Sequence, residues 1–229
     1  MIYLYLLATV FIFLVSRKLL SSVKSPLANP LLVSILFFIG LFSFTPLVYQ
    51  DYATANLPFI WLLEPAVLAL AIPLFSQVKQ IKKQFKAIML SCCFGVVIAI
   101  STCISTALLL TDDKILLLSL LPKSVTSPIA MAVANETGGL ASLAAAVVIA
   151  VGLLGALGGF SLLKLCNITN PQAQGLAMGC SAHAIGTAKA MEVGNEQGAF
   201  SSLALVISGI LTAILAPIFA WLIAIMIGV

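Results

Sequence analysis

Residues able to bind or move a small ion are concentrated in two short strings of an otherwise apolar chain. Residues 122–128 place Lys123 and three hydroxyl side chains between two prolines. Residues 179–192 hold the only histidine, His183. A lysine ammonium can face a carboxylate, and a histidine can donate a hydrogen bond or carry a proton near neutral pH. These residue types therefore predict recognition of a small organic anion.

Both central candidates also have a purely structural interpretation. Lys123 could extend to the membrane interface from a loop, with its aliphatic stem along apolar surface. His183 could be a packed side chain bonded to a neighbouring carbonyl. We favour binding for Lys123, because the flanking prolines and hydroxyls exceed what an interfacial lysine needs, and for His183, because a lone histidine in a membrane segment is more often functional than a packing residue. The predicted substrate-binding residues are Lys123, Ser124, Thr126, Ser127, Ser181, His183, Gly186 and Thr187.

Three further ionisable residues are candidates for ion coupling or pairing. Glu64 directly precedes Pro65 in an apolar run and could be a protonatable coupling site. Lys189 and Glu192 are three residues apart, so they can pair along one helix face. For these two, a structural ion pair competes with substrate contact.

Catalysis and metal binding have weaker support. Cys180, Ser181 and His183 are close in sequence, but no acidic orienting residue or nucleophile-elbow motif accompanies them. The five cysteines form no C-x-x-C pair, and a single histidine leaves too few partners for a metal. We therefore expect no enzyme activity, no metal and no cofactor.

The composition predicts the environment in which these strings lie. Hydrophobic residues make up 62% of the 229 residues and charged residues 8%, whereas soluble domains average about 25% charged residues. Lipid accepts such a chain because its outer surface can also be apolar. The net charge of +4 comes from short basic clusters between apolar runs, a pattern that sets membrane orientation and does not indicate nucleic-acid binding.

The apolar runs predict an all-α polytopic protein, since they are continuous and lack the alternation of barrel strands. About 20 residues cross a bilayer as a helix, which allows about seven or eight segments. We expect one integral membrane domain over 1–229, with approximate halves 1–110 and 111–229. The expected segments are 1–16, 30–49, 57–76, 87–110, 115–134, 140–164, 174–194 and 199–227.

Two of these segments are predicted to be broken, at 121–130 and 179–190. Proline interrupts the helical hydrogen-bond ladder, and irregular backbone in a membrane survives only inside protein or beside a cavity. Transporters place such half-helix ends at an anion site. Segments 115–134 and 174–194 could each span or re-enter. The Asn-Pro pairs at 29–30 and 170–171 also suggest a repeat, which could be inverted.

Small residues recur at helical spacing in the second half of the chain. Gly152, Gly155 and Gly159 are three and four residues apart, and Gly175 and Gly179 are four residues apart. Small residues let membrane helices pack closely. We interpret the first set as a packing surface, and the second set, which adjoins the His183 string, could also line the site.

Several strings resemble the LrgB/CidB family over nearly the whole chain after residue 29. Residues 122–130 are similar to the family string P-K-S-V-T-T-P-I-A, and residues 175–188 to G-L-A-x-G-x-x-S-H-x-I-G-T-A. Residues 64–73, 198–201 and 209–217 also fit. Two positions depart from the pattern: Ala182 separates the expected Ser-His pair, and Glu64 stands where the family more often has a small residue.

The resemblance implies a multi-pass protein of the bacterial cytoplasmic (inner) membrane. Members are described as antiholin-like modulators of murein hydrolase export and autolysis, beside a smaller holin-like LrgA/CidA-type partner. A plant relative resembles a plastid glycolate/glycerate translocator, and some bacterial members are linked to pyruvate uptake. Two functions therefore stay open: proton-coupled transport of small monocarboxylates, or control of a partner's pore. The expected partners are the bilayer, a small organic anion, the holin-like protein and, as an option, further copies of this chain.

Overall fold

The computed structural model describes residues 2–20, 29–62, 65 and 75–227. Its described residues form helices without strands, which confirms the predicted all-α class. Glu64 and most of the expected segment 57–76 lie outside the described residues. The helices are α1 (Ile2–Leu20), α2 (Pro30–Phe44), α3 (Tyr49–Ala55), α4 (Leu57–Trp61), α5 (Val78–Leu108), α6 (Lys114–Leu120), α7 (Ser127–Thr137), α8 (Ala141–Leu165), α9 (Pro171–Val193) and α10 (Asn195–Ile227).

Three of the described helices, α5, α8 and α10, are long and apolar enough to cross a membrane. They contain 31, 25 and 33 residues, and a bilayer core needs about 20. Helix α2 is a shorter apolar helix of 15 residues. These helices confirm the membrane class predicted from composition.

The chain divides into two compact units, Met1–Ala69 and Leu70–Val229. In the first unit, aromatic rings of α1, α2 and α3 pack together, with Phe38 and Tyr52 at a centroid distance of 4.9 Å. The Thr9 side chain lies 3.0 Å from the Asn56 side-chain oxygen. An apolar cleft of about 690 Å³ opens beside these residues. The predicted functional strings all lie in the second unit.

Residues 114–137, called hairpin A from here on, enter and turn back. Asp113 caps α6 by accepting from the backbone N–H groups of Ile115 and Leu116. After α7, the Leu140 N–H donates to the Ser119 hydroxyl at 2.8 Å. The chain leaving α7 therefore lies beside α6, and 121–126 form the tip of the hairpin.

Residues 171–193, called hairpin B, also double back, although hydrogen bonding is helical almost throughout. The helix is interrupted at His183, where φ is 42° and ψ is −135°. A Cβ on Gly186 would lie 2.9 Å from the Met178 carbonyl oxygen, whereas eight residues of continuous helix span about 12 Å. At the open end of the hairpin, the Gln172 side chain donates to Glu196 at 2.8 Å.

The two hairpins begin at opposite ends of α5. Gln172 of hairpin B donates to Gln80, in the first turn of α5, at 2.8 Å. Leu117 and Leu118 of hairpin A pack in one cluster with Ile104 and Ala107, near the last turn of α5. Segments 115–134 and 174–194 therefore both fold back on themselves, from opposite ends of α5, as re-entrant segments would.

Helices α8 and α10 complete an inverted arrangement. Helix α8 starts after hairpin A and passes along hairpin B, where Gly159 meets Met178. Helix α10 starts beside hairpin B and reaches hairpin A, where Ile223 joins the cluster of Leu117. Residues 114–165 and 171–227 thus repeat one pattern, a hairpin followed by a long helix, in opposite directions. The correspondence between halves 1–110 and 111–229 stays a prediction.

Candidate functional site

The tips of the two hairpins converge on the middle of α8. Val148 packs with Val125 and Ala130 of hairpin A in one buried cluster. The carbonyl oxygen of the same residue accepts a hydrogen bond from Nε2 of His183, the tip residue of hairpin B, at 2.8 Å. Two strings that are 50 residues apart in sequence therefore meet at one residue.

Helix α10 also contacts both hairpins at a single level. The Ser208 hydroxyl donates to the Cys180 sulfur of hairpin B at 3.1 Å. A Cβ on the adjacent Gly209 would lie 3.0 Å from the Cδ1 atom of Ile129 in hairpin A. The long helices α8 and α10 thus hold both hairpins near their own midpoints. In a membrane-spanning helix, the midpoint is the part farthest from the bilayer surfaces.

Lys123 carries the only positive charge near the tip of hairpin A among the described residues. It is half-buried, and its Nζ donates to the Ser124 hydroxyl at 3.3 Å. Its side chain lines an open groove of about 390 Å³ whose other wall includes Cys103 and Thr106 of α5. Among the described residues it pairs with no carboxylate, so the ammonium can face an anion.

The remaining predicted residues of hairpin A lie at the start of α7. Thr126 is the N-cap residue, but its side chain makes no cap hydrogen bond, and Pro128 in the first turn has no N–H. Thr126 and Ser127 are both half-buried. A helix start has unpaired N–H groups and partial positive charge. This end of α7 therefore has the polarity that attracts a carboxylate.

His183 is buried at the tip of hairpin B, with 3% of its surface exposed. Its Nε2 bonds Val148, whereas its Nδ1 has no hydrogen-bonding partner among the described residues. The bonded carbonyl is what the packed-histidine interpretation expected. The unpartnered Nδ1 is what a binding role requires, so the same ring fits both interpretations.

The other predicted residues of hairpin B are engaged in different ways. Ser181 is exposed, and its hydroxyl donates to the Ala177 carbonyl of its own helix at 2.7 Å. The Thr187 hydroxyl is buried against the Ser201 hydroxyl of α10 at 2.8 Å. Lys189 and Glu192 form an exposed ion pair at 2.8 Å.

The structure thus brings the hairpin tips together without joining all predicted residues in one contact set. His183 bonds the Val148 carbonyl, and Val125 of hairpin A packs against Val148, but the ammonium of Lys123 bonds Ser124 instead. Glu64 lies outside the described residues. The predicted binding roles accordingly stay predictions.

The residues that receive the hairpin tips are not among those predicted from the sequence. Val148 and Ser208 lie in apolar runs and have no distinguishing motif. The glycine spacing of α8 did signal the contact: a Cβ on Gly152 would lie 2.6 Å from the His183 ring, and Gly155 faces Ala182 closely. This confirms Gly152, Gly155 and Gly159 as a packing surface and shows that hairpin B is what packs there.

Metal binding has no support within the described part of the chain. No group of three or more histidine, cysteine, aspartate or glutamate side chains is placed to hold an ion there. The polar groups that do gather near the tips are hydroxyls, one ammonium, one imidazole and backbone N–H groups.

Comparison with known proteins identifies similar chains of the same length. The model of the LrgB-like family matches residues 9–222. An uncharacterized protein of Haemophilus influenzae is 35% identical over 216 residues, 94% of each chain. The holin-like protein CidB of Staphylococcus epidermidis is 31% identical over 94% of each chain, and the uncharacterized protein YwbG of Bacillus subtilis is 35% identical over 93% of this chain and 94% of its own. No solved structure matches.

Proposed function

The chain belongs to the LrgB-like family, and on that premise we propose that it is a secondary transporter of small monocarboxylates of the pyruvate, glycolate or glycerate type. We place it in the bacterial cytoplasmic membrane and expect proton coupling. The observation that supports this most is the meeting of hairpins A and B, which enter from opposite ends, at Val148.

Re-entrant hairpins bring polar helix ends to a depth that ordinary spans fill with apolar side chains. Non-helical backbone at that depth is tolerated only inside protein or beside an aqueous cavity. The N-terminus of α7 offers unpaired N–H groups there, and Lys123 adds a full positive charge. Both features favour a carboxylate. A monocarboxylate is small enough to reach such a site between helices.

The inverted repeat of 114–165 and 171–227 supplies a route to alternating access. In transporters built from inverted repeats, substrate binds near the midplane where the repeats meet, and one part moves against the other. Hairpins A and B close the meeting point from opposite directions. If each hairpin opens in turn, the site faces one side of the membrane and then the other.

The direct test is uptake into proteoliposomes that contain this chain alone. Radiolabelled pyruvate, glycolate and glycerate are supplied with and without an inward proton gradient, and we expect gradient-dependent accumulation of at least one of them. Loss of a charged hydrogen bond costs about 1.5–3 kcal/mol, so Lys123→Ala should weaken half-saturation by about 10–100-fold.

Lys164→Ala is the matched control, because Lys164 is exposed in the last turn of α8. It removes one lysine without touching either hairpin tip, and its uptake should equal that of the parent. A Lys123→Ala protein that inserts normally and transports like the parent would show that the proposed anion site is wrong. An inserted parent that moves none of the three acids would remove the transport proposal itself.

The names of the CidB relatives favour a second candidate function. On this reading the chain is an antiholin-like regulator of murein hydrolase export and autolysis, acts on a holin-like LrgA/CidA-type membrane protein and transports nothing itself. Its polar strings would then serve helix packing, as the Thr187–Ser201 bond does. Release of a trapped dye from liposomes holding the partner, with and without this chain, tests that function. A changed release rate without any uptake would favour the regulator.

A further inference from the structure

We propose that Nδ1 of His183 is the atom at which a proton and the substrate carboxylate bind together, so that one proton accompanies each monoanion and transport is electroneutral. The inference rests on the proposed transport function and names its coupling group. Three features of the His183 ring support it: the hydrogen bond to Val148, the unpartnered Nδ1, and the close packing of the ring against α8.

The hydrogen bond of the ring fixes which nitrogen carries hydrogen. The Val148 carbonyl can only accept, so Nε2 of His183 must be the donor across the 2.8 Å contact. A neutral imidazole has one N–H, and the Val148 bond uses it. Nδ1 of the neutral ring is then a bare acceptor, and it becomes a donor only when the ring takes up a proton.

Holding His183 in this position is costly in two independent ways. A buried polar atom without a partner costs about 1–3 kcal/mol, and Nδ1 is such an atom. A non-glycine residue in a sparsely populated backbone region costs about 1–3 kcal/mol as well, and His183 has φ of 42°. Glycine at this position would avoid the second cost. A residue kept only for packing has no need of either.

The surroundings of the ring are shaped to admit it. Gly152 lacks the Cβ that would lie 2.6 Å from ring atom Cε1 and 2.7 Å from Nε2. Val148, one helical turn before it, supplies the bonded carbonyl. Helix α8 thus presents a gap and an acceptor to the imidazole, which fixes the ring while its buried Nδ1 keeps no hydrogen-bonding partner among the described residues.

No described carboxylate is placed to neutralise a protonated ring. Helix α8 has no ionisable side chain between residues 141 and 163. On the other elements that pack around the tips, the titratable and charged groups have other partners or lie toward an end. Cys180 bonds Ser208, Cys92 lies beside both Cys180 and Cys93, and Cys103 contacts Leu120. Lys123 bonds Ser124, Lys189 pairs with Glu192, and Glu196 accepts from Gln172. Lys114 and Glu136 stand near the ends of hairpin A, and the first three turns of α5 carry Lys79, Lys82, Lys83 and Lys86.

The charge balance follows from this isolation. A lone imidazolium or a lone carboxylate at membrane depth costs several kcal/mol. A proton on Nδ1 makes that nitrogen a donor to the carboxylate, and the two charges then cancel. The proton and the anion therefore stabilise one another's binding, and neither enters well alone. One proton on Nδ1 cancels one carboxylate, so a dicarboxylate would leave its second carboxylate without a counter-charge at the His183 ring.

The test uses proteoliposomes with the full chain and pyruvate as the probe. An internal pH dye reports proton entry while radiolabel reports pyruvate entry, and a potassium diffusion potential set with valinomycin tests charge movement. We expect equal numbers of protons and pyruvate ions, acceleration by an inward proton gradient, and no response to the potential. Succinate should not accumulate.

His183→Gln tests the assigned atom. The glutamine amide can still donate to the Val148 carbonyl, but it cannot take up a proton, so gradient-driven accumulation should be lost. Lys164→Gln introduces the same residue at an exposed position and should behave like the parent.

The outcomes separate this inference from the function beneath it. Potential-driven pyruvate uptake in the parent, or His183→Gln that still accumulates pyruvate with the gradient, would overturn the coupling role of His183. If the variant fails to insert, a proton-to-pyruvate ratio in the parent that differs from one would still overturn the inference. A parent without any monocarboxylate uptake would instead overturn the proposed transport function.

Discussion

Hairpins A and B have the same inverted topology, yet different contacts hold them in place. Hairpin A turns through six residues, 121–126, and leucines such as Leu117 and Leu121 anchor it in a large apolar cluster. Hairpin B turns at the single residue His183, and glycines such as Gly179 and Gly186 let backbone meet backbone. Packing by side-chain area tolerates small shifts, whereas packing through missing Cβ atoms does not.

The difference also divides the chemistry between the hairpins. The wide turn of hairpin A leaves Lys123 half-buried beside an open groove, where its ammonium stays accessible. The tight turn of hairpin B buries its imidazole, and in the proposed mechanism a proton binds there only together with a counter-charge. A site for an anion and a proton gains from this division, because one tip attracts the anion and the other makes its entry depend on a proton.

The largest effect is expected from adding one methyl group to hairpin B. A Cβ on Gly179 would contact the Ser201 carbonyl and lie 2.8 Å from the Ala204 Cβ. Backbone cannot move aside as a flexible side chain can, and forced overpacking costs about 1–3 kcal/mol or more. Gly179→Ala should therefore lower the thermal unfolding midpoint of the detergent-solubilised protein by several degrees and abolish uptake.

Gly158→Ala is the control for this change, since a Cβ there meets nothing within 4 Å. It adds the same methyl group on the neighbouring helix α8 and should keep the unfolding midpoint of the parent. Equal midpoints for Gly179→Ala and Gly158→Ala would mean that hairpin B is not held by close glycine contacts, and the contrast with hairpin A would fail.

A smaller effect is expected from the bond that ties hairpin B to α10. The Thr187 and Ser201 hydroxyls are both buried and bond each other at 2.8 Å. Removing one partner leaves the other unsatisfied at about 1–3 kcal/mol, whereas removing both is less costly than the sum. Thr187→Val, Ser201→Ala and the double variant should show this coupling in their unfolding midpoints.

Strictly additive effects of Thr187→Val and Ser201→Ala on the unfolding midpoint would contradict this coupling. They would mean that the two hydroxyls do not depend on one another, and Thr187 would then be free to contact substrate as the sequence suggested. The cycle thus decides whether Thr187 belongs to the binding residues or to the packing between hairpin B and α10.

The sequence predicted a break in both hairpins, but the physical signal for a break differs between them. Pro122 and Pro128 each remove a backbone donor, so a helix cannot run through them unchanged. Hairpin B turns at His183, a residue type that does not signal a helix break as proline or glycine would. Residues 171–193 have the length of a full span, and only distant contacts, such as Gln172 with Glu196, reveal that the chain returns.

The predicted site residues divide along the same line. Lys123 and His183 were identifiable because ionisable groups are rare at membrane depth. Their meeting point was not, because Val148 acts through its carbonyl oxygen, a group that every residue carries. The inverted relation of 114–165 to 171–227 was equally impossible to predict from the sequence. The two segments share an order of elements and opposite chain directions, but they do not share a residue pattern.

The smallest effect is expected at the open end of hairpin B, where the side chains of Lys189 and Glu192 are exposed. Lys189 and Glu192 pair three residues apart with side chains 43% and 68% exposed, and exposed pairs contribute about 0–1 kcal/mol. Lys189→Gln should leave both the unfolding midpoint and pyruvate uptake unchanged. A raised half-saturation concentration without a changed midpoint would instead place the Lys189 ammonium on the substrate route. Cations of both hairpins, Lys123 and Lys189, would then attract the anion, and the division of chemistry between the two hairpins would not hold.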